Sequence, residues 1–265
     1  MTRPSPAHAT DGQPTSHSMQ VRDLHKSFGQ SQVLRGLTLD FADNAITTLL
    51  GPSGTGKSVL IKHLVGLLAP DSGSVTIFGQ DIWRISKVEQ YEIPKRFGVL
   101  FQDGALFGSI NVFDNVAFPL RTHTDKSEDE IGEIVMNRLA EVGLAPAAAK
   151  LPGELSGGMR KRAGFARALV LDPDIVLFDE PDSGLDPVRT SLLNDLILTM
   201  HAEHGGTYLL VTHDIGTARL ISDYVGLLWH GTVRHYGPAE AAFASEDPFV
   251  RQFLAGASAG PLGMD

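Results

Sequence analysis

The stretch AITTLLGPSGTGKSVLIKHLVGLL, residues 45–68, restricts the choice of fold more than any other part of the chain. Its first six residues read as a buried strand, and the apolar positions from residue 59 to about 68 read as a helix. Between them, GPSGTGKS at 51–58 carries glycines that let the backbone bend until its N–H groups converge on an anion. The N-terminus of the following helix adds favourable partial charge. Lys57 is placed to reach the outer phosphates of a nucleoside triphosphate, and the Ser58 hydroxyl to ligate Mg²⁺. A glycine-rich strand-to-helix turn with no ligand is the competing reading, and the agreement of motif with flanking elements weighs against it.

With 265 residues, 42% hydrophobic and 20% charged, the chain is long enough for one large domain or for a domain with an inserted lobe. Residues 1–18 are rich in Pro, Ser, Thr and His without periodicity and read as a disordered arm. They lack the apolar core of a signal peptide, and no window approaches the roughly 18 apolar residues of a membrane span, so a cytoplasmic location is expected. The absence of cysteine rules out disulfides and thiolate metal sites. With 31 Asp and Glu against 22 Lys and Arg, the chain is poorly suited to a phosphate backbone, and no nucleic-acid partner is expected.

Beyond Met19, apolar runs at 37–41, 45–50, 74–79 and 97–101 read as strands. The texture then turns helical. SEDE at 127–130 forms a capping box, and Ile131, Ile134, Val135, Leu139 and Val142 recur along one helix face. Two strands buried on both faces follow at 174–178 and 207–211, joined by a helix marked by Val188, Leu192, Leu193, Leu196, Ile197 and Met200. Strand, helix, strand implies a parallel sheet.

Three further clusters carry chemistry. In IVLFDEP, 175–181, an apolar strand ends in two carboxylates at the edge where open α/β sheets collect ligands. Asp179 would hold the Mg²⁺ shell and Glu180 would polarise an attacking water, although a polar strand end without chemistry is common. LSGGMRKR, 155–162, opens a helix with Ser156 as N-cap and a second anion-seeking helix end, though read alone it is an ordinary cap. In VTHD, His213 follows a buried strand, where a structural histidine is commoner than a catalytic one.

In this order and at these separations, the motifs resemble the ATP-binding cassette (ABC) ATPases over about residues 19–240. The resemblance implies a P-loop α/β fold within a domain at 19–244, with a RecA-like core, an antiparallel β subdomain and an inserted helical subdomain at about 104–172. It makes Gly51, Pro52, Ser53, Gly54, Thr55, Gly56, Lys57, Ser58 and Val59 the ATP-binding loop, with Asp179, Ser58 and Gln102 around Mg²⁺. Glu180, His213 and Gln102 become catalytic, and Leu155, Ser156, Gly157, Gly158 and Met159 form the signature. Ser183, Gly184, Leu185 and Asp186 form the D-loop. Phe28, in KSFGQ, matches the position that stacks on adenine, with a place in the core as its alternative. Met159 stands where the family usually has Gln. Since the phosphate-facing groups are the Ser156 hydroxyl and the backbone of Gly157 and Gly158, the change is compatible with ATP binding and marks a subfamily. Family sites form between the loop of one subunit and the signature of another, so one loop and one signature per chain imply a homodimer.

FQDGALFGSINVFDNVAFPLR, LPGELSGGMRKRAGFARAL and LFDEPDSGLDPVRTSLLNDLI are similar to the ATPases of the Mla and Mce lipid-transport systems, and PFVRQFL with GPLGMD to the tail of actinobacterial Mce ATPases. That resemblance implies a YrbE/MlaE-type permease, MCE substrate-binding proteins beyond it, and lipid cargo such as sterols, fatty acids or phospholipids. It also implies a location at the inner face of the plasma membrane. An importer for a polar solute is the alternative. A soluble non-transport cassette ATPase fits less well, because no sustained heptads separate the phosphate loop from the signature. Around Gln102, Phe101, Leu106, Phe107, Val112 and Phe113 are expected either to wall a groove for a permease helix or to fill the junction with the helical lobe. In the tail, 245–265, Phe249, Phe253 and Leu254 are expected to dock on the second copy.

Overall fold

The structure is a computed structural model and describes residues 17–262. Most of the expected arm, residues 1–16, and the last three residues of the tail lie outside the described residues. In chain order the first part contains β1 (Met19–Phe28), β2 (Ser31–Asp40), β3 (Ile46–Leu50), α1 (Lys57–Leu64), β4 (Ser72–Ile77), β5 (Gln80–Asp81), α2 (Lys87–Glu92) and β6 (Phe97–Leu100). Three longer helices follow: α3 (Val112–His123), α4 (Glu128–Glu141) and α5 (Gly157–Leu169). The chain returns through β7 (Ile175–Asp179), α6 (Pro187–His204), β8 (Thr207–Thr212), α7 (Ile215–Ile221), β9 (Tyr224–Trp229) and β10 (Thr232–Pro238). It closes with α8 (Ala239–Phe243) and α9 (Pro248–Ala255).

Six strands form the central sheet in the order β10-β9-β3-β8-β7-β6, parallel except for β10. A second, antiparallel sheet has the order β2-β1-β4-β5. Alternate residues of β7 enter opposite cores. Ile175 and Leu177 join Leu49, Leu60 and Leu209, while Val176 and Phe178 join Ile197, Tyr208 and Leu210. Cover on both faces is why such a strand reads as an unbroken apolar run.

The register decides where the loops open. Leu50 lies opposite Thr212, Asp179 opposite Val211 and Leu100 opposite Phe178, so the carboxyl ends of β3, β8, β7 and β6 reach one edge together. Crevices at such an edge are where open α/β sheets take ligands. The helices α3 and α4 share a separate core with one face of α5, built on Val116, Leu120, Val135, Leu139, Ala163 and Ala166. Another face of α5, carrying Phe165 and Leu169, packs on the sheet. One helix thus joins the helical lobe to the core beneath the site.

The elements differ from expectation in two places. α1 stops at Leu64, because Gly66 takes φ +74 and the Leu67 and Leu68 N–H groups both turn back to the Lys62 carbonyl. On α6 the buried residues are Leu193, Asn194, Ile197 and Met200, while Val188 and Leu192 are 71% and 62% exposed. The tail's apolar side packs on its own chain. Leu254 is buried with Leu50, Val225 and Leu227 of its own chain, and Phe249 and Phe253 pack against the same cluster. Leu262 is buried too, its N–H donating to Gln252 Oε1 at 2.8 Å. This packing covers Leu254 within its own chain and leaves Phe249 and Phe253 half-buried.

Candidate functional site

The loop between β3 and α1 owes its shape to two glycines. Gly56 precedes α1 at φ +100, and a Cβ there would come within 2.8 Å of Leu34 Cδ2. At Gly51 a Cβ would meet the Leu228 carbonyl oxygen at 2.5 Å. Thr55 closes the turn by donating its hydroxyl to the Pro52 carbonyl at 2.9 Å, with Ser53 and Gly54 exposed beside it and Val59 packed on the core behind. Lys57 is buried. Its Nζ donates to the carbonyls of Gly51 and Pro52 at 2.8 and 3.0 Å and lies 3.9 Å from Glu180 Oε1. Burial holds the Lys57 pKa below the ordinary lysine value, with the charges of Glu180 and Asp179 opposing that shift.

Asp179, the last residue of β7, accepts a hydrogen bond from the Ser58 hydroxyl at 2.7 Å. Burial pushes its carboxyl pKa up, against the effect of that hydrogen bond. Glu180 follows at φ +49, a left-handed conformation uncommon outside glycine, with its N–H held by the Val211 carbonyl at 2.8 Å. Glu180 Oε2 lies 3.8 Å from His213 Nδ1, and the histidine keeps 56% of its side chain exposed. Lys57, Ser58, Asp179, Glu180 and His213, distant in sequence, thus meet at one edge of the sheet.

Gln102 Nε2 donates to Ser183 Oγ at 3.1 Å, which links the amide to the D-loop. In that loop the Ser183 N–H donates to the Glu180 carbonyl and the Leu185 N–H to the Asp182 carbonyl, making successive turns through Gly184 at φ +73. Asp186 then caps α6, accepting from the Arg189 N–H at 3.0 Å. In the signature, Leu155 is buried, and Ser156 caps α5 by accepting from the Met159 N–H at 3.3 Å. Gly157 and Gly158 make the first turn of that helix, and Met159 packs on the helical core. Ser156, Gly158 and Met159 share a groove of about 380 Å³ with Leu185, Arg189 and Leu192, and no residue of the 51–58 loop lines it.

Phe28 ends β1 with 50% of its surface exposed and Lys26 Nζ 5.7 Å from its ring centroid, which rules out the core alternative. Nearby in sequence, Ser31 and Gln32 line a cleft of about 460 Å³ with Pro52, Ser53 and Thr55 of the phosphate-loop segment. Around Gln102 the apolar residues divide. Val112 is core, Leu106 and Phe113 pack on the helical cluster, and Phe101 is half-buried. Phe107 is exposed and pairs with the exposed Phe118, ring centroids 4.9 Å apart.

Asn115 and Lys161 were not singled out by the sequence, and Asp182 was read only as the first residue of the D-loop stretch DSGLDP, 182–187, with no role of its own. Buried Asn115 accepts from the Phe107 N–H at 2.7 Å and donates to the carbonyls of Phe107, Ile110 and Asn111, shaping the turn that presents Phe107. Its position between Val112 and Val116 on an apolar helix face is the signal that marks it. Buried Asp182 accepts from the Thr212 hydroxyl at 2.6 Å, and burial pushes its carboxyl pKa up. Lys161 donates to the carbonyls of Pro181 and Ser183, and nothing in the run MRKR distinguishes it from a solvated cation.

The donors suit a small hard cation bound with a nucleotide. Ser58 Oγ and Asp179 Oδ1 are adjacent oxygens, and among the described residues no group of three or more His, Asp or Glu forms a metal cage of its own. Mg²⁺ commonly takes one or two protein oxygens and completes its shell with substrate phosphates and water.

A family model described as ABC transporter matches residues 34–183, and a shorter match at 151–218 is to an AAA domain model described as a putative AbiEii toxin. A probable ribonucleotide transport ATP-binding protein, mkl, of Mycobacterium tuberculosis is 55% identical over 259 residues, 98% of this chain and 72% of the relative. The intermembrane phospholipid transport system ATP-binding protein MlaF of Escherichia coli is 40% identical over 250 residues, 94% of this chain and 93% of the relative. Among solved structures, the ATP-binding cassette MJ0796 in a dimeric post-hydrolysis state with ADP and Pi is 27% identical at a TM-score of 0.76, covering 83% of this chain and 98% of that one.

Proposed function

The chain belongs to the ABC transporter family as its ATP-binding, ATP-hydrolysing subunit, and from that premise we propose that it energises lipid transport through a YrbE/MlaE-type permease served by MCE proteins. The observation that carries the lipid reading is similarity along almost the whole length, 92% of each chain, to an ATP-binding protein of an intermembrane phospholipid transport system from Haemophilus influenzae. A polar-solute importer is the second reading, favoured by the ribonucleotide transport in the name of the mycobacterial relative. Purifying the chain with its permease from membranes and extracting the complex separates the two. Co-purifying phospholipid, sterol or fatty acid supports the first; a bound nucleotide-like or other polar cargo without lipid enrichment overturns it.

Two copies would sandwich ATP, the signature of one closing over the phosphates held by the loop of the other. Lys57 would exchange its two carbonyl partners for the outer phosphates, and Phe28 would stack on the adenine. Ser58 and Asp179 would hold Mg²⁺, which when bound offsets the charge on the β and γ oxygens. Glu180 would orient and deprotonate the attacking water while His213 contacts the γ-phosphate, so most of the catalysis is positioning and fixed charge. Gln102, through Ser183, would connect that chemistry to the segment ending in Phe107 and Phe118, where a permease helix would seat at the inner face of the plasma membrane. Glu180→Gln should lower turnover at least about 100-fold with ATP still bound and the closed dimer accumulating. Near-normal hydrolysis by that variant would remove Glu180 from its role.

A further inference from the structure

Lys161 lies in the second turn of α5, only 5% exposed, although it sits in a run of basic residues. Its Nζ donates to the Pro181 carbonyl at 2.6 Å and to the Ser183 carbonyl at 2.5 Å. Those two carbonyls bracket Asp182, in the turn that leaves Glu180. The same turn is fixed on its other sides: Gln102 donates to Ser183 Oγ, Thr212 donates to Asp182, and the Asp214 N–H donates back to Thr212.

A buried ammonium is costly, and burial holds the Lys161 pKa below the ordinary value despite nearby Asp182, Asp103 and Glu180. An apolar side chain of similar length would fill the same space without that cost. What it would not do is fix two backbone carbonyls at once. Glu180 has need of such a constraint, because a non-glycine residue at φ +49 persists only where its surroundings determine it.

We propose that Lys161 is a positioning residue for ATP hydrolysis: it clamps the 181–183 turn so that the Glu180 carboxylate faces the attacking water, and so ties the signature helix to the carboxylate of its own subunit. The proposal rests on the reading of Glu180 as the base. It also implies that motion of the signature helix is felt at the base in the same protomer.

The test compares steady-state ATPase kinetics of the wild type, K161M, K161Q and E180Q, each checked for folding by its thermal midpoint. K161M should lose about 10- to 100-fold in kcat, the scale of a catalytic group misplaced by about 1 Å, with KM for ATP changed less than about two-fold. K161Q, which keeps an amide donor, should fall between. Because the chain has no cysteine, K161C offers a single thiol for chemical rescue. Alkylation with 2-bromoethylamine in denaturant, then refolding, restores an ammonium of lysine length; 2-iodoethanol supplies a neutral control. Recovery of kcat with the amine alone supports the clamp. Equal recovery with both reagents, or an unchanged kcat in a folded K161M, overturns it. E180Q at the wild-type rate would instead remove the reading of Glu180 on which the clamp depends.

Discussion

At the scale of single residues, the buried cation of the loop sets a cost that stability measurements can read. Lys57 is buried against two carbonyls and held below its ordinary pKa by desolvation, so its burial carries a cost that a bound anion would offset. Lys57→Met should therefore leave the ligand-free protein at pH 7 as stable as the wild type or more so, while the ATP-dependent rise in thermal midpoint disappears. The pH dependence has a definite sign. Between the lowered folded pKa and the unfolded value near 10.5, the folded state binds fewer protons than the unfolded chain, so the penalty is complete below the folded pKa and relieved as pH rises through it. The variant should lack that alkaline gain. Urea titrations of both proteins from pH 7 to 10 check this, and parallel stability profiles would contradict it. The motif residues were legible because phosphate chemistry fixes their type and spacing. Lys161 and Asp182 were not, because their meaning lies in partners some 20 to 30 positions away.

At the scale of elements, legibility followed burial on two faces. β3, β7 and β8 announce themselves as apolar runs, and the capping box at Ser127 and Glu130 forms as expected. β1 is harder to read, because register shifts at Val21/Leu24 and Lys26/Ser27 move side chains between faces and break the period of two. The β9–β10 hairpin turns through His230 and Gly231, both at positive φ, a geometry that Asn-Gly or Asp-Gly would have signalled more strongly. For α9 the amphipathic pattern was legible and the choice of surface was not, since an apolar stripe does not say which chain covers it. Its packing against β3, β9 and α7 makes it part of the domain. Leu254→Ala should cost about 2–4 kcal/mol of folding stability, within the range for buried leucines. A urea midpoint equal to wild type would show that α9 does not hold the fold.

At the scale of the whole molecule, charge and membrane location pull in opposite directions. The chain carries a formal net charge of −9, and no helix among the described residues is long and apolar enough to cross a membrane. A cytoplasmic leaflet rich in anionic lipid, at about −30 mV, repels such a body rather than gathering it. On the proposed reading recruitment would come from a protein docking surface, and the exposed Phe107–Phe118 pair beside the Gln102 segment is the apolar patch that reading assigns to it. Flotation tests this. The purified chain should stay with the soluble fraction when mixed with protein-free vesicles containing phosphatidylserine or cardiolipin, and should float with vesicles that carry its permease. If that aromatic pair forms the centre of the contact, raising the salt should not release the protein, whereas a charge-driven contact would be screened within about 10 Å at 0.1 M. Binding to protein-free anionic vesicles as strong as to permease vesicles would mean that the lipid surface itself is the receptor, and the docking role given to the segment after Gln102 would fall with it.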